Sequence, residues 1–360
     1  MSTELLVEIN NHIAVVTLNR PQALNSLSYS MVMALGELLK KWETDDSIHA
    51  VLVRGAGEKA FCAGGDVRFI YDSYQSGGTE HLQFFSEEYK LDHQIHRYPK
   101  PYIALMDGIV MGGGMGIAQG AQFRIATDRT RMAMPETAIG LFPDVGASYL
   151  LSRLDGAMGI YLGITGTEIK APDIVAIGLG DIYLDTYSVV ALDDRLKDIV
   201  WSDDHDRDIE MALNTLASEP TSPIILAPLA DAIDIHFSEP TLPGIVASLK
   251  NESQPSLTDW VAQTLAGLNK RSPLMMSVTL EQLHRGRRMA LADCFRMELN
   301  LVHACFDQGD FIEGIRALIV EKDQQPRWNP PTLKDVVQSD IDEFFVPRWS
   351  PREHPLNALR

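Results

Sequence analysis

The chain has 360 residues, 45% hydrophobic and 22% charged, with a formal net charge of −18. This balance suits a soluble globular protein of one large domain or two modest ones, and the acidic excess excludes nucleic acid and anionic membrane surfaces as partners. Three scattered cysteines, Cys62, Cys294 and Cys305, form no disulfide framework and point to a reducing compartment; no apolar run reaches the length of a membrane helix and no basic leader opens the chain, so a cytoplasmic location is expected.

In chain order, Val7-Glu-Ile-Asn and Ile13-Ala-Val-Val-Thr-Leu flank Asn10-Asn11-His12, which predicts a tight β-hairpin. Ser28 precedes Met31, Leu35, Leu38, Leu39 and Trp42 at helical spacing, the pattern of an N-capped amphipathic helix. Ala50-Val-Leu-Val-Arg reads as a short buried strand ended by Gly55-Ala-Gly57, and Tyr102-Ile-Ala-Leu-Met as another, closed by Asp107-Gly108. Gly112-Gly-Gly-Met-Gly-Ile-Ala begins a helix, and Phe123-Arg-Ile-Ala and Arg131-Met-Ala-Met are further strands. Short strands alternating with helices give an α/β layout, which from about residue 150 becomes mainly helical. Residues 217–229 hold three prolines and read as an irregular crossing. Residues 274–305 read as helical, with the basic cluster Arg285, Arg287 and Arg288 on what is most simply a solvated face. The Pro- and Trp-rich tail from Pro326 is expected to lie over the surface.

Two glycine segments, Lys59-Ala-Phe-Cys-Ala-Gly-Gly-Asp66 and Met111-Gly-Gly-Gly-Met-Gly116, can bring backbone N–H groups close to a ligand because glycine has no Cβ. The second lies where a strand becomes a helix, whose first N–H groups are free. Two such groups aimed at one carbonyl would make an oxyanion hole; on glycine content alone, tight turns explain them equally well. Neither segment is a dinucleotide fingerprint or a phosphate loop, and no Gly-x-Ser-x-Gly elbow is present. Met134-Pro-Glu136-Thr-Ala-Ile-Gly-Leu-Phe-Pro-Asp144 sets two carboxylates among apolar neighbours, where desolvation raises their proton affinity and suits a base or nucleophile near neutral pH. The alternative is that Glu136 pairs locally and Asp144 caps a helix beginning near Gly146. Cys62 has no assignable His partner and reads as a small buried thiol. His93 and His96 share a helix face, but no ligand cluster suggests a metal.

Together these segments resemble the crotonase (enoyl-CoA hydratase/isomerase) superfamily. The matching pieces are Leu18-Asn-Arg-Pro-Gln-Ala-Leu-Asn25, Lys59–Asp66, Pro101–Gly114, Met134-Pro-Glu136 with Gly140, Thr165-Gly-Thr-Glu-Ile and Gly178-Leu-Gly-Asp-Ile. The resemblance implies a superhelix of ββα turns followed by a C-terminal helical region. It implies an acyl-CoA substrate whose thioester oxygen lies between the N–H groups of Gly65 and Gly113. Arg20, Ala23 and Ala63 would then line the CoA moiety. Hydratases of this superfamily use two glutamates; one matches Glu136, while Gly116 stands in the place of the other, and Asp144 stands where hydratases usually carry glycine.

That exchange resembles the 3-hydroxyisobutyryl-CoA hydrolases, as do Glu87-Glu88-Tyr89, Pro135–Gly146, Asp310-Phe-Ile-Glu-Gly-Ile-Arg-Ala and Lys322–Pro330. The activity implied is hydrolysis of a short 3-hydroxyacyl-CoA in valine catabolism, the alternative being a hydratase or isomerase of the same superfamily. Glu136 and Asp144 would be catalytic, with Glu88 near the acyl group. No metal or other cofactor is implied, since CoA is part of the substrate. The expected division is a core over residues 1–200 carrying these groups and a helical region over 201–360 covering the active site. A homo-oligomer is compatible with the resemblance.

Overall fold

The computed structural model of the chain describes residues 3–308 and 310–360. It opens with the expected hairpin: β1 (Leu5–Asn10) pairs antiparallel with β2 (Ile13–Leu18), and Asn11 and His12 take the positive φ values, 46° and 64°, of a two-residue turn. The helix α1 (Tyr29–Glu43) follows, its first turn capped by the Ser28 hydroxyl, which accepts from Met31 N–H at 3.2 Å.

From there strands come in pairs. They are β3 (Ala50–Gly55) with β4 (Ala60–Cys62), β5 (Tyr102–Met106) with β6 (Ile109–Met111), and β7 (Phe123–Thr127) with β8 (Arg131–Ala133). The first strand of each pair joins one parallel array and the second joins another, so that β3-β5-β7 run side by side in a six-stranded sheet and β4-β6-β8 in a four-stranded one. The helices α2 (Val67–Gln75) and α3 (Glu80–His96) separate the first two pairs, and α4 (Gly113–Gln119) the next two. This is the ββα repeat that the resemblance implies. Four short strands were not anticipated from the residue pattern: β4 and β6, together with β9 (Ile169–Lys170), which extends the four-stranded sheet, and β10 (Ile182–Leu184), which extends the six-stranded one, on either side of α7 (Ala171–Ala176).

The remaining helices are α5 (Ala147–Leu150), α6 (Met158–Thr165), α8 (Thr186–Lys197), α9 (His205–Asn214), α10 (Ala230–Phe237), α11 (Leu242–Lys250), α12 (Thr258–Leu268), α13 (Pro273–Gly286), α14 (Leu291–Gln308), α15 (Asp310–Ile315) and α16 (Gln338–Phe344). The run read as helical over 274–305 is thus two helices, parted at 287–290. Arg285, Arg287 and Arg288 are exposed, and Arg285 pairs with Glu281. Among the described residues no helix is long and apolar enough to cross a membrane.

Contacts divide the chain into two compact units, each gathered from three segments. The first comprises Met1–Asp66, Lys90–Ala133 and Glu168–Ala227; the second comprises Val67–Tyr89, Met134–Thr167 and Pro228–Arg360. Residue 200, where a boundary is expected, lies inside the last segment of the first unit. The first unit holds both sheets. Its core packs Ile13, Val15, Leu52, Ile103, Leu105 and Ile125 of the large sheet against Leu192 and Leu196 of α8 and Ile209 and Leu213 of α9. Every residue of β5 is buried, as a central strand of a parallel sheet requires.

The second unit is helical, with α13 packed on α5, α6 and α16. The tail read as lying over the surface does more than that. It forms α16, buries Phe344 and Leu356 to 1% exposure each, and has Leu356 O and Leu359 O accepting from the Arg296 guanidinium. The burial of these two apolar side chains favours the docked tail.

Candidate active site

In the first unit the two glycine segments are neighbours. Leu27 and Gly65 form a parallel bridge in which Leu27 N–H donates to Gly64 O and Asp66 N–H to Leu27 O. That pattern leaves the Gly65 N–H outside the bridge. Gly113 opens α4, so its N–H has no acceptor within the helix. The turns touch: a Cβ placed on Gly64 would lie 3.6 Å from Gly113 N, and one on Gly114 would lie 2.2 Å from Cys62 O. Only glycine at 114 allows this approach. Cys62 is fully buried, as a packing thiol should be. Gly116 is buried in α4.

Arg20, Ala23 and Ala63 lie beside these turns. The Ala63 N–H donates to Leu24 O at 3.0 Å. Arg20 is engaged by three segments of the first unit: Nη2 is 2.8 Å from Asp66 Oδ2, Nε is 3.2 Å from Glu4 Oε1, and Nη1 donates to Ser26 O. Its charge therefore braces these segments.

The second unit brings the acids together. Glu136 opens a 3₁₀ turn, Glu136–Ile139, behind Pro135, and Gly140 ends it with a φ of +73°. A Cβ at 140 would stand 2.2 Å from Asp310 O, so the spacing from Glu136 to Asp144 depends on a glycine there. Glu136, Asp144 and Glu88 are 5%, 4% and 2% exposed. Burial pushes all three carboxyls up: Asp144 to about 6, and Glu88 and Glu136 well above the usual range. The negative charge of Asp144 adds to the rise at Glu136, and the charges of Asp144 and Glu136 add to it at Glu88. Burial and mutual repulsion thus both favour the protonated forms within this cluster. Glu88 Oε1 and Glu136 Oε2 are buried without a hydrogen-bond partner among the described residues.

Asp144 does not cap a helix. The N-cap of α5 is Gly146, with no side-chain bond, while the Asp144 carboxylate accepts from the Tyr89 hydroxyl at 2.7 Å, which opposes its rise. The N–H groups of Gly146 and Ser148 at the start of α5 go instead to Glu298 on α14.

Three groups that sequence reasoning left without a role surround the acids. The Arg271 guanidinium donates to Thr137 Oγ1 at 2.9 Å; its charge opposes the rise at Glu136, and burial brings its own pKa down to about 10. Gln282 Nε2 donates to Pro143 O at 2.6 Å and to Ser148 Oγ at 2.7 Å. Glu298, fully buried on α14, accepts from Gly146 N–H and Ser148 N–H at 2.8 and 2.9 Å. Its signal was present in the sequence: an acid on the apolar stripe of Phe295, Leu299 and Val302 is either paired or functional. Tyr89 was visible only as part of a matching motif.

The sequence model of the enoyl-CoA hydratase/isomerase family matches residues 13–345. The chain belongs to this family. Within it, the chain is 40% identical over 347 residues to the mitochondrial 3-hydroxyisobutyryl-CoA hydrolase of Danio rerio, covering 95% of this chain and 89% of that protein. Among solved structures, a carnitinyl-CoA dehydratase from Mycobacterium thermoresistibile matches at 38% identity with a TM-score of 0.88 over 96% of this chain and 97% of that one. An enoyl-CoA hydratase from Rhodobacter sphaeroides 2.4.1 matches at 31% with a TM-score of 0.84, over 96% and 98%. The fold and family expected from the motifs are therefore those of the chain; the names of its relatives divide between a hydrolase and two lyases.

Proposed function

We propose that this enzyme hydrolyses a short 3-hydroxyacyl-CoA thioester, with 3-hydroxyisobutyryl-CoA as the favoured substrate. The observation that carries the reading is the buried acid cluster Glu88, Glu136 and Asp144, with unpartnered oxygens on Glu88 and Glu136, in a chain that has Gly116 at the place of a hydratase's second glutamate. A hydratase needs two groups to handle the proton and hydroxide of one water. Glu136 alone can attack a carbonyl or activate a water toward it.

The reaction assigned is as follows. The thioester oxygen accepts from the N–H groups of Gly65 and Gly113. A Glu136 carboxylate oxygen bonds to the carbonyl carbon, the electron pair moves to the carbonyl oxygen, and its return expels CoA as thiolate. Water then cleaves the mixed anhydride and restores Glu136. In the direct variant of this scheme Glu136 takes a proton from water, the hydroxide bonds to the carbonyl carbon to give a different tetrahedral species, and its collapse to the free acid expels CoA thiolate, which regains the proton from Glu136. One N–H donor to such an oxyanion is worth about 3 kcal/mol of barrier. Asp144, kept acidic by Tyr89, accepts the substrate hydroxyl, and Glu88 faces the acyl group. Arg271 keeps Glu136 more acidic than burial alone would. The chemistry calls for no metal or redox cofactor, because CoA is already a good leaving group. A place in valine breakdown and a cytoplasmic, reducing setting complete the reading, the latter supported by three buried free thiols.

The second reading, a lyase or isomerase using Glu136 for proton transfer, draws on the two similar solved structures, a carnitinyl-CoA dehydratase and an enoyl-CoA hydratase. A panel of 3-hydroxyisobutyryl-, 3-hydroxypropionyl- and crotonyl-CoA separates them. Free thiol detected with DTNB from the first two, and none from crotonyl-CoA, supports hydrolysis. Loss of the enoyl absorbance of crotonyl-CoA without thiol release would establish the lyase instead.

A further inference from the structure

Asp144 is the residue that marks this chain off from a hydratase, yet it sits on backbone that should not hold still. Val145, a β-branched residue, has a φ of +52°, and Gly146 follows at +88°. A β-branched side chain in the left-handed region persists only where its surroundings over-determine it. The residue best placed to do this is Glu298. One carboxylate oxygen takes the N–H of Gly146 at 2.8 Å and the other the N–H of Ser148 at 2.9 Å. The hydroxyl of Ser148 also bonds to this carboxylate, which draws its pKa down against the burial that raises it to about 8.

One helical turn earlier, Phe295 packs into the space beside Gly146, where a Cβ would be 3.1 Å from its ring, and its ring centroid lies 5.7 Å from that of Tyr89, the donor to Asp144. Thus α14 grips the loop at two positions on one helix face, i and i+3. An amide at 298 would have to turn an NH₂ toward one of the two N–H groups, setting donor against donor. A carboxyl group offers one acceptor oxygen to each N–H, which the amide does not.

We infer that Glu298 is the positioning residue for Asp144: its carboxylate clamps the Gly146–Ser148 backbone and so fixes the loop from which Asp144 meets the substrate hydroxyl. This rests on the hydrolase reading for Asp144. Glu298 reaches no reacting atom itself.

The test is a double-mutant cycle on hydrolysis of 3-hydroxyisobutyryl-CoA with Asp144→Asn, Glu298→Gln and the pair. Glu298→Gln is expected to lower kcat by about 10²-fold, as a misplacement of about 1 Å does. KM should stay within about threefold, since the CoA moiety is bound elsewhere. The pair should be no slower than Asp144→Asn alone, because both changes disable one function. Multiplying losses would overturn the inference and leave the hydrolase reading standing. Full activity in Asp144→Asn would instead overturn the role of Asp144 on which both rest. Should Glu298→Gln not fold, the intact protein decides. The amide protons of Gly146 and Ser148 should resonate downfield and exchange slowly, whereas exchange as fast as in an exposed loop would overturn the clamp.

Discussion

Removing the Tyr89 hydroxyl isolates what one buried hydrogen bond does to the acid cluster. Tyr89→Phe keeps the ring and its contacts with Phe85 and Phe295 but deletes the donor 2.7 Å from Asp144 Oδ2. A hydrogen bond to a charged group contributes about 1.5–3 kcal/mol, and one pKa unit corresponds to about 1.4 kcal/mol. Asp144 should therefore rise from about 6 by roughly one to two units. At pH 7 its ionised share would fall from about nine-tenths to between about half and one-tenth, and turnover would fall about two- to tenfold in proportion.

Stability must follow with a definite sign. Asp144 is raised above its unfolded value, so its contribution is fully present below that value and is lost as pH rises through the folded pKa. The variant should match the parent near pH 5 and be less stable by about 1.5–3 kcal/mol near pH 9, where Asp144 is ionised but has lost its donor. The assay is a ¹³C carboxyl titration, with Asp144→Asn to assign the resonance, alongside thiol release at each pH. A midpoint that moves by less than about half a unit would refute the reasoning, since the bond would then carry too little energy to tune the site.

Other expectations follow from the same geometry. Glu136→Gln should reduce thiol release by at least about 10³-fold while calorimetry still shows CoA-ester binding; retained turnover would remove Glu136 from the mechanism. Gly140→Ala places a Cβ 2.2 Å from Asp310 O at a φ of +73°. It should cost about 2–4 kcal/mol, seen by scanning calorimetry as a melting point lower by roughly 5–10 °C, and an unchanged melting point would contradict the packing described. Gly114→Ala drives a Cβ into Cys62 O, which separates the two glycine turns; kcat/KM should fall by about 10²-fold with the fold retained by circular dichroism, and wild-type kinetics would disconnect these turns from catalysis.

The opening hairpin, the strands of the large sheet from β1 to β7, the glycine turns and the order Glu136–Gly140–Asp144 were legible because each is a local signal. Alternating apolar residues, a capping serine and a glycine at a left-handed turn act within a few positions of themselves. The partners of the acids were not legible, because they arrive from far along the chain: Tyr89 lies 55 residues before Asp144, and Glu298 lies 152 after Gly146. No period or cap predicts such pairings, although an acid on the apolar stripe of α14 marked Glu298 as needing one. The cap considered for Asp144 is absent for the same reason, since a distant carboxylate, Glu298, takes the N–H groups of Gly146 and Ser148. The interleaved units were hidden too, because nothing local tells that Val67–Tyr89 leaves the first unit.

A crystal structure with a CoA ketone analogue, in which CH₂ replaces the thioester sulfur, measures the proposed arrangement most directly. The carbonyl oxygen is predicted to sit about 3 Å from both Gly65 N and Gly113 N, with a Glu136 oxygen facing the carbonyl carbon. A bound analogue whose carbonyl touches neither N–H group, or whose carbonyl carbon is turned away from Glu136, would contradict the account.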